Sequence, residues 1–317
     1  MALAIGIDLG GTAVKGGIVS DKGEIIHRTS IATHAEEGVA AVIDRIAGLA
    51  KTLATHASHR HQPPHGVGVG APGTIRRSDG VILSAPNLNG WRDVPLTRQL
   101  RSAIDLPVVL NNDANSAALG EFVCGAGRDV QDMVMLTLGT GVGGGIISGG
   151  RLFVGALGNA GELGHTIVEA GGRRCNCGQL GCLETYASAS ATALRATEAI
   201  QAGEPSSMKS ILDRGEPLSS RHVADAMSSG DALAKRIWEE TCRYLAIACI
   251  NLQHTFDPGC IVLAGGMSEA GDRLLQPLIR SIRELNSPAL GPMPEIRLAE
   301  LGNDAGFVGA ALSVFAD

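Results

Sequence analysis

Cys175, Cys177 and Cys182 lie within a single glycine-rich loop. Glycines at 172, 178 and 181 open backbone conformations closed to other residues, so the loop can fold its three sulfurs towards one point. Three thiolates need a fourth ligand, and His165 lies ten residues before the first of them. A Cys3His set is a tetrahedral zinc site of the closed, structural kind. Two readings compete with it. Three reduced core thiols are possible because free cysteine is among the most buried residue types, but core cysteines have no reason to crowd into a loop of Gly, Arg, Asn and Gln. A disulfide is the weaker rival, since nothing in the chain marks it as secreted.

Upstream of the cysteines, Gly139-Thr140-Gly141-Val142-Gly143-Gly144-Gly145 follows the apolar run Val134 to Leu138 and leads into a second strand at Ile146 to Ile147. Gly139, Gly141 and Gly144 satisfy the dinucleotide pattern G-x-G-x-x-G formally. That pattern needs a helix directly after it, and here a strand and Gly149-Gly150 follow, which excludes it. A hairpin of exposed backbone amides suits phosphate better, although an ordinary tight hairpin accounts for the same residues.

The same layout opens the chain. Leu3 to Leu9 reads as a buried strand ending at Asp8-Leu9-Gly10-Gly11-Thr12, and Ala13 to Ser20 reads as its return. Two glycine hairpins in two halves suggest a duplicated domain that holds phosphates between the halves. Asp8 is placed to hold a hydrated Mg²⁺ and Lys15 to reach phosphate. The competing role for Asp8 is a turn carboxylate capping backbone amides.

A third polar group, Asn111-Asn112-Asp113, sits between the strand Val108 to Leu110 and the helical Ala114 to Gly125. Ligands of open α/β sheets bind at carboxyl ends of strands, where a carboxylate can serve as general base. Asp is also a frequent helix N-cap, and a cap's oxygens are already committed. The turn Gly265-Gly266-Met267-Ser268 after the strand Cys260 to Ala264 can admit a base or ribose, or simply begin a helix.

The elements that position these groups alternate between strand and helix along the chain. Helical spacing covers Gly38 to Ala54 and Asp231 to Phe256, a helix from Glu184 runs to about Ala202, and Gly203 to Ser220 reads as an irregular connection. His56, His59, His61 and His65 fall in a Ser/Arg/Gln/Pro-Pro stretch and read as solvated loop side chains. A last strand, Glu295 to Leu298, and a helix, Ala305 to Phe315, close the pattern.

At 317 residues the chain suits two domains, and 44% hydrophobic residues with 3% aromatic means cores of Ala, Val, Ile and Leu. Its 26 basic and 32 acidic residues give −6, without a basic run longer than a pair, which argues against nucleic-acid binding. The N-terminus lacks the basic region of a signal peptide, and no apolar run approaches membrane-spanning length. Seven cysteines, an odd number, fit a reducing cytoplasm, with Cys124, Cys242, Cys249 and Cys260 in apolar surroundings.

Asp8-Leu9-Gly10-Gly11-Thr12, the Leu138 to Gly145 run, Glu162-Leu163-Gly164-His165 and Cys175 to Glu184 occur here in one order. In this the sequence resembles the ROK family of sugar kinases and repressors, over essentially the whole chain, and is most similar to the family's bacterial glucokinases. The resemblance implies an actin-like ATPase fold, that is, two ribonuclease-H-like α/β domains with a central cleft and a structural zinc loop. It places a small domain at 1–113, with a C-terminal helix at about 304–317 packing back on it, and a large domain at 114–303.

For the site it implies phosphate hairpins at Asp8, Gly10, Gly11, Thr12 and Lys15 and at Gly139, Thr140 and Gly141, with Gly265 and Gly266 on the adenosine side. It implies sugar contacts from Gly73, Asn87, Asn112, Glu162, His165 and Glu184, and Asp113 as catalytic base. His165, Cys175, Cys177 and Cys182 match the zinc ligands, with Mg²⁺ and ATP as the other cofactors. A sugar as substrate and a homodimer or homotetramer as the assembly follow from the same resemblance.

Among family activities, glucokinase is the reading, with N-acetylmannosamine kinase or fructokinase as alternatives; the shared motifs do not choose among sugars. A DNA-binding repressor is disfavoured because the first phosphate strand begins at Leu3. A non-catalytic sugar sensor is hard to reconcile with an intact Asn112-Asp113 pair. Arg173-Arg174 reads as a solvated face in preference to part of a subunit contact.

Overall fold

The computed structural model describes residues 1–59, 62–85 and 88–316. The chain begins with β1 (Leu3–Leu9), β2 (Ala13–Ser20) and β3 (Ile25–Ala32), followed by α1 (Val39–His59) and β4 (Val67–Ala71). Three short strands come next, β5 (Thr74–Arg76), β6 (Val81–Ser84) and β7 (Arg92–Val94), then α2 (Leu96–Ala103), β8 (Val108–Asn112) and α3 (Asp113–Cys124). The middle holds β9 (Met133–Leu138), β10 (Val142–Ser148) and β11 (Arg151–Leu152). Helices α4 (Glu184–Ala187), α5 (Ala189–Gln201), α6 (Lys209–Asp213), α7 (Ser220–Ser228) and α8 (Ala232–Phe256) succeed them. Last come β12 (Cys260–Ala264), α9 (Asp272–Leu285), β13 (Glu295–Leu298) and α10 (Ala305–Leu312).

One sheet has the order β3-β2-β1-β4-β8 and another the order β11-β10-β9-β12-β13. β1 is antiparallel to β2 and parallel to β4, and β12 is parallel to both β9 and β13. With strands numbered in chain order within each sheet, both sheets therefore read 3-2-1-4-5, the repetition that two glycine hairpins suggest. The short strands β5, β6 and β7 form a separate sheet that the sequence pattern did not reveal.

The chain divides into two compact units, Met1–Val130 with Gly145–Gly161 and Glu300–Asp317, and Gln131–Gly144 with Glu162–Ala299. In the first, Ile5, Ile7, Val14 and Ile18 pack with Val42, Ile46, Leu49 and Leu53 of α1. Ala4, Val19 and Leu119 pack with Phe307, Val308, Ala311 and Leu312 of α10.

That second layer depends on missing side chains. A Cβ at Gly6 would stand 1.8 Å from the Phe307 carbonyl oxygen, at Gly68 1.7 Å from that of Ala310, and at Gly309 1.6 Å from that of Ser116. Only glycine lets α10 lie this close to the sheet and to α3. Glu121, fully buried on α3, fastens the approach to α10 by accepting the N–H groups of Ala126, Glu300 and Leu301 at 2.9, 3.0 and 2.8 Å.

In the second unit, α8 buries Leu233, Ile237, Trp238, Cys242, Leu245, Cys249 and Leu252, as the spacing predicts. Its cap is Asp231, which accepts the Ala234 N–H at 2.9 Å. Arg195 of α5 is buried against it, donating to the carbonyl oxygens of Tyr186 and Ile237 and to Glu240. Cys260 joins Cys242 and Cys249 as fully buried.

Four expectations are corrected. α1 continues to His59, because no proline interrupts it before Pro63, so His56 and His59 are helical and not in a loop. His56 also stacks on His27 with ring centres 4.3 Å apart. His65 is exposed as expected, while His61 lies outside the described residues. The helix expected from Glu184 to Ala202 is two helices, since Ser188 adopts an extended conformation and caps α5 through the Ala191 N–H at 3.0 Å. The stretch 203–220 contains α6 and the first residue of α7. Finally, β10 is longer than Ile146 to Ile147, beginning at Val142. Among the described residues no helix is long and apolar enough to cross a membrane.

Candidate functional site

In the second unit, a ring nitrogen of His165 and the Sγ atoms of Cys175, Cys177 and Cys182 all lie within 4.8 Å of one another. Cys175 Sγ is 3.7 Å from His165 Nδ1, and Cys177 Sγ is 3.7 Å from Cys182 Sγ. With zinc–sulfur bonds of about 2.3 Å, the edge of a regular tetrahedron is about 3.8 Å. These two pairs therefore stand at the spacing a zinc ion imposes, and the Cys177–Cys182 sulfurs lie far beyond the ~2.05 Å of a disulfide. Soft thiolates with one imidazole also suit zinc chemically.

The loop achieves this with turns at Gly178 and Gly181, whose φ angles are +98° and +82°. A Cβ at Gly181 would strike the Glu169 carbonyl oxygen at 1.8 Å. Burial pushes the Cys182 thiol up to about 12 and also raises Cys175. Cys177, exposed and hydrogen-bonded by Gln179, is drawn down to about 7.

The second glycine hairpin is tied to this cluster by Glu184, the first residue of α4. Glu184 Oε2 accepts the N–H of Val142 at 3.0 Å, while Oε1 lies 3.8 Å from Cys175 Sγ. Two glycines make room for the arrangement. A Cβ at Gly141 would stand 2.3 Å from Glu184 Oε2, and one at Gly164 would stand 2.0 Å from the Val142 carbonyl oxygen. Gly139 donates its N–H to the Gly141 carbonyl at 3.0 Å and receives the Ala189 N–H on its own carbonyl at 2.8 Å. Thr140, at the tip, is exposed.

Glu162 precedes a short 3-10 turn, Leu163–His165, and its carbonyl accepts the His165 N–H at 3.1 Å. Gly265, at φ +85°, sits against Leu138, and its Cβ would be 2.6 Å from the Leu138 carbonyl oxygen. Gly266 begins a 3-10 helix to Ala270 and lines a cavity of about 310 Å³ with Arg221, Asp225, Trp238, Met267 and Arg273. A larger cavity, about 520 Å³ between β3 and α1, is lined by none of the residues expected to bind ligand.

In the first unit, the hairpin Gly10 to Thr12 is held by Thr33, a residue no sequence signal marked. Thr33 Oγ1 donates to the Gly10 carbonyl at 2.7 Å and its N–H to that of Thr12 at 2.9 Å. Gly11 and Thr12 are exposed. Asp8 and Lys15 face each other across β1 and β2. Burial raises the Asp8 carboxyl, against the pull of Lys15. A Cβ at Gly306 would come within 2.7 Å of that carboxylate, so α10 provides the Asp8 cradle. A carboxylate whose charge burial opposes fits a divalent cation. Lys15 Nζ donates to Asn303 Oδ1 at 3.2 Å, a partner 288 residues away that spacing does not reveal.

Asn112 is the cap of α3: its Oδ1 accepts the N–H groups of Ala114 and Asn115 at 2.9 and 3.2 Å. The capping role that competed for Asp113 thus belongs chiefly to its neighbour, although Asp113 Oδ1 also accepts the Ala114 N–H at 2.8 Å. Asn112 Nδ2 donates to the Gly73 carbonyl at 3.2 Å, bringing two of the expected sugar-contact residues together. Gly73 has φ +90° and no room for a side chain beside the Ser84 carbonyl. Asn87 lies outside the described residues. Arg173, expected to be solvated, makes two hydrogen bonds to Glu198 at 2.8 and 2.9 Å.

Residues 4–316 match the ROK family. The glucokinase of Halalkalibacterium halodurans is 41% identical over 308 residues, 96% of this chain and 92% of that protein. Among solved structures, a ROK family glucokinase from Streptomyces griseus in complex with glucose and AMPPNP is 35% identical, with a TM-score of 0.82 over 98% of each chain. A ROK hexokinase from Thermus thermophilus is 33% identical, with a TM-score of 0.83 over 99% of this chain and 98% of that one. Both the repeated sheet order and the Cys3His loop are thereby accounted for: the chain belongs to the ROK family and has its actin-like ATPase fold.

Proposed function

We propose that this chain is a glucokinase, transferring the γ-phosphoryl group of ATP to the primary hydroxyl of D-glucose. The observation that carries the reading is the bond from the Val142 N–H to Glu184 Oε2, which joins a phosphate-type hairpin to a carboxylate beside the cysteine cluster. Glucose and ATP are supported by the relative crystallised with glucose and AMPPNP.

In this reading Glu162, His165 and Glu184 accept or donate hydrogen bonds at the sugar hydroxyls, helped by Gly73, Asn87 and Asn112. Several fixed polar groups are what a hydroxyl-rich ligand requires. Asp113 accepts the proton of the primary hydroxyl as that oxygen attacks the γ-phosphorus, and ADP leaves. Backbone amides of Gly10, Gly11 and Thr12 and of Gly139, Thr140 and Gly141, with Lys15, hold the phosphates, and Gly265 and Gly266 receive the adenosine. Magnesium beside Asp8 would neutralise developing phosphate charge. Zinc held by His165, Cys175, Cys177 and Cys182 would supply rigidity, fixing the imidazole by one ring nitrogen so that the other faces substrate. A thiolate-bound zinc suits a reducing cytoplasm, and the reading includes a place in glycolysis and a homodimer or homotetramer.

The test is a coupled ADP-release assay with Mg·ATP and a panel of glucose, N-acetylmannosamine, N-acetylglucosamine, fructose, mannose and allose. Glucose is expected to lead in kcat/KM by at least about tenfold, or ~1.4 kcal/mol of transition-state binding. A different leading sugar corrects the substrate, and no ADP release with any sugar overturns the kinase reading in favour of a sensor.

A further inference from the structure

Tyr186 is buried on α4, two residues after Glu184. Its phenol oxygen accepts the N–H of Arg173 at 2.6 Å. The approach is close enough that a Cβ on Gly172 would stand 2.1 Å from the same oxygen. Arg173 precedes Cys175 by two residues, so the bond reaches the rising limb of the cysteine loop. The Arg173 carbonyl in turn accepts the N–H of Gly181, beside Cys182, at 2.8 Å. A single hydroxyl thus holds the crossed base of the loop against the helix that carries Glu184.

The ring has a different task. It packs on Tyr244 of α8 with centres 4.1 Å apart, and Tyr244 donates its own hydroxyl to Glu169 at 3.3 Å. Phenylalanine at 186 would keep this packing and lose only the acceptor for Arg173. A part-buried N–H left without its acceptor shifts until it finds another, and here the shift would move Cys175.

The geometry points to Tyr186 as a positioning residue, whose hydroxyl makes the metal loop and the Glu184 carboxylate one mechanical unit. The inference rests on the reading of the cysteine cluster as a zinc site and of Glu184 as a sugar ligand. Partners that orient ligands from outside a metal's coordination sphere change metal affinity by about 10–100-fold when removed.

The experiment compares the zinc-loaded wild-type protein with Tyr186→Phe and Tyr244→Phe. Zinc transfer to a chromophoric chelator is followed in each, and steady-state KM values are measured for sugar and for ATP. Tyr186→Phe is expected to release zinc about tenfold faster, to raise the sugar KM several-fold at nearly unchanged kcat, and to leave the ATP KM alone. Tyr244→Phe should match the wild type in all three. Wild-type release and sugar KM in Tyr186→Phe would overturn the inference while the zinc reading stands, as would equal acceleration by Tyr244→Phe, which keeps the ring packing and loses only the hydrogen bond to Glu169, and so would show that the Arg173 bond has no special part. Wild-type protein purified without stoichiometric zinc would overturn the metal reading and the inference with it.

Discussion

Glu184 Oε2 receives the N–H of Val142 at 3.0 Å, so a side chain from the start of α4 fixes a backbone turn 42 positions earlier. Truncation at Glu184 should therefore be felt on both substrates. Glu184→Ala is expected to raise the KM for sugar, through a lost hydroxyl partner, and the KM for ATP, through a loosened hairpin. Hydrogen bonds to charged groups contribute roughly 1.5–3 kcal/mol, which sets the ATP effect at about tenfold or more. An unchanged ATP KM would detach the hairpin from Glu184.

Asp113→Asn should lower kcat by about 10²–10⁴-fold, the usual worth of a general base. Since Asn112 supplies the chief cap of α3, the helix should survive the change. Glucose binding measured by calorimetry should persist, and an active Asn variant would remove Asp113 from its role.

Asp231 ties α8 to the preceding connection by accepting from Ala234 N, Ser206 Oγ, and both N and Oγ of Ser207. Burial opposes its charge, yet these hydrogen bonds outweigh it and hold the carboxyl near 2, against an ordinary 3.8. A value lower in the folded state contributes stability that is full above pH 3.8 and is lost as the pH falls through about 2. Asp231→Ala should destabilise by about 1 kcal/mol at neutral pH. Denaturant melts of the two proteins should converge as the pH approaches 2.

The same substitution at two glycines should have opposite signs. Gly309→Ala drives a methyl into the Ser116 carbonyl, where backbone cannot yield cheaply, and should cost at least about 1–3 kcal/mol. Gly48→Ala, on an exposed face of α1 with nothing within 4 Å of the new Cβ, should stabilise by about 0.5–1 kcal/mol. Urea midpoints with unchanged zinc content would check both.

The clustering of Cys175, Cys177 and Cys182 with His165 was legible because the three cysteines are close in sequence and thiolates have few other reasons to gather in a polar loop. Buried strands such as β1 and β12 were legible as uninterrupted apolar runs, and α8 from its spacing. What escaped was set by partners distant in the chain or by single backbone angles. The Lys15–Asn303 and Thr33–Gly10 bonds have no periodicity to betray them. Ser188 splits one expected helix into two through its own extended backbone, although serine is a common cap whose signal was present. The short strands β5, β6 and β7 offered too few residues for alternation to show.

The glycine-lined seat of α10 has a consequence for the order in which the molecule can be completed. The first unit takes its closing helix from residues 305–312, after the second unit's 162–299. Until residues 305–312 emerge from the ribosome, Ala4, Val19 and Leu119 lack the Phe307, Val308 and Ala311 that cover them. The unit whose synthesis starts first is therefore finished last. The nascent chain carries an uncovered apolar face throughout the making of the cysteine loop, a natural point of engagement for chaperones.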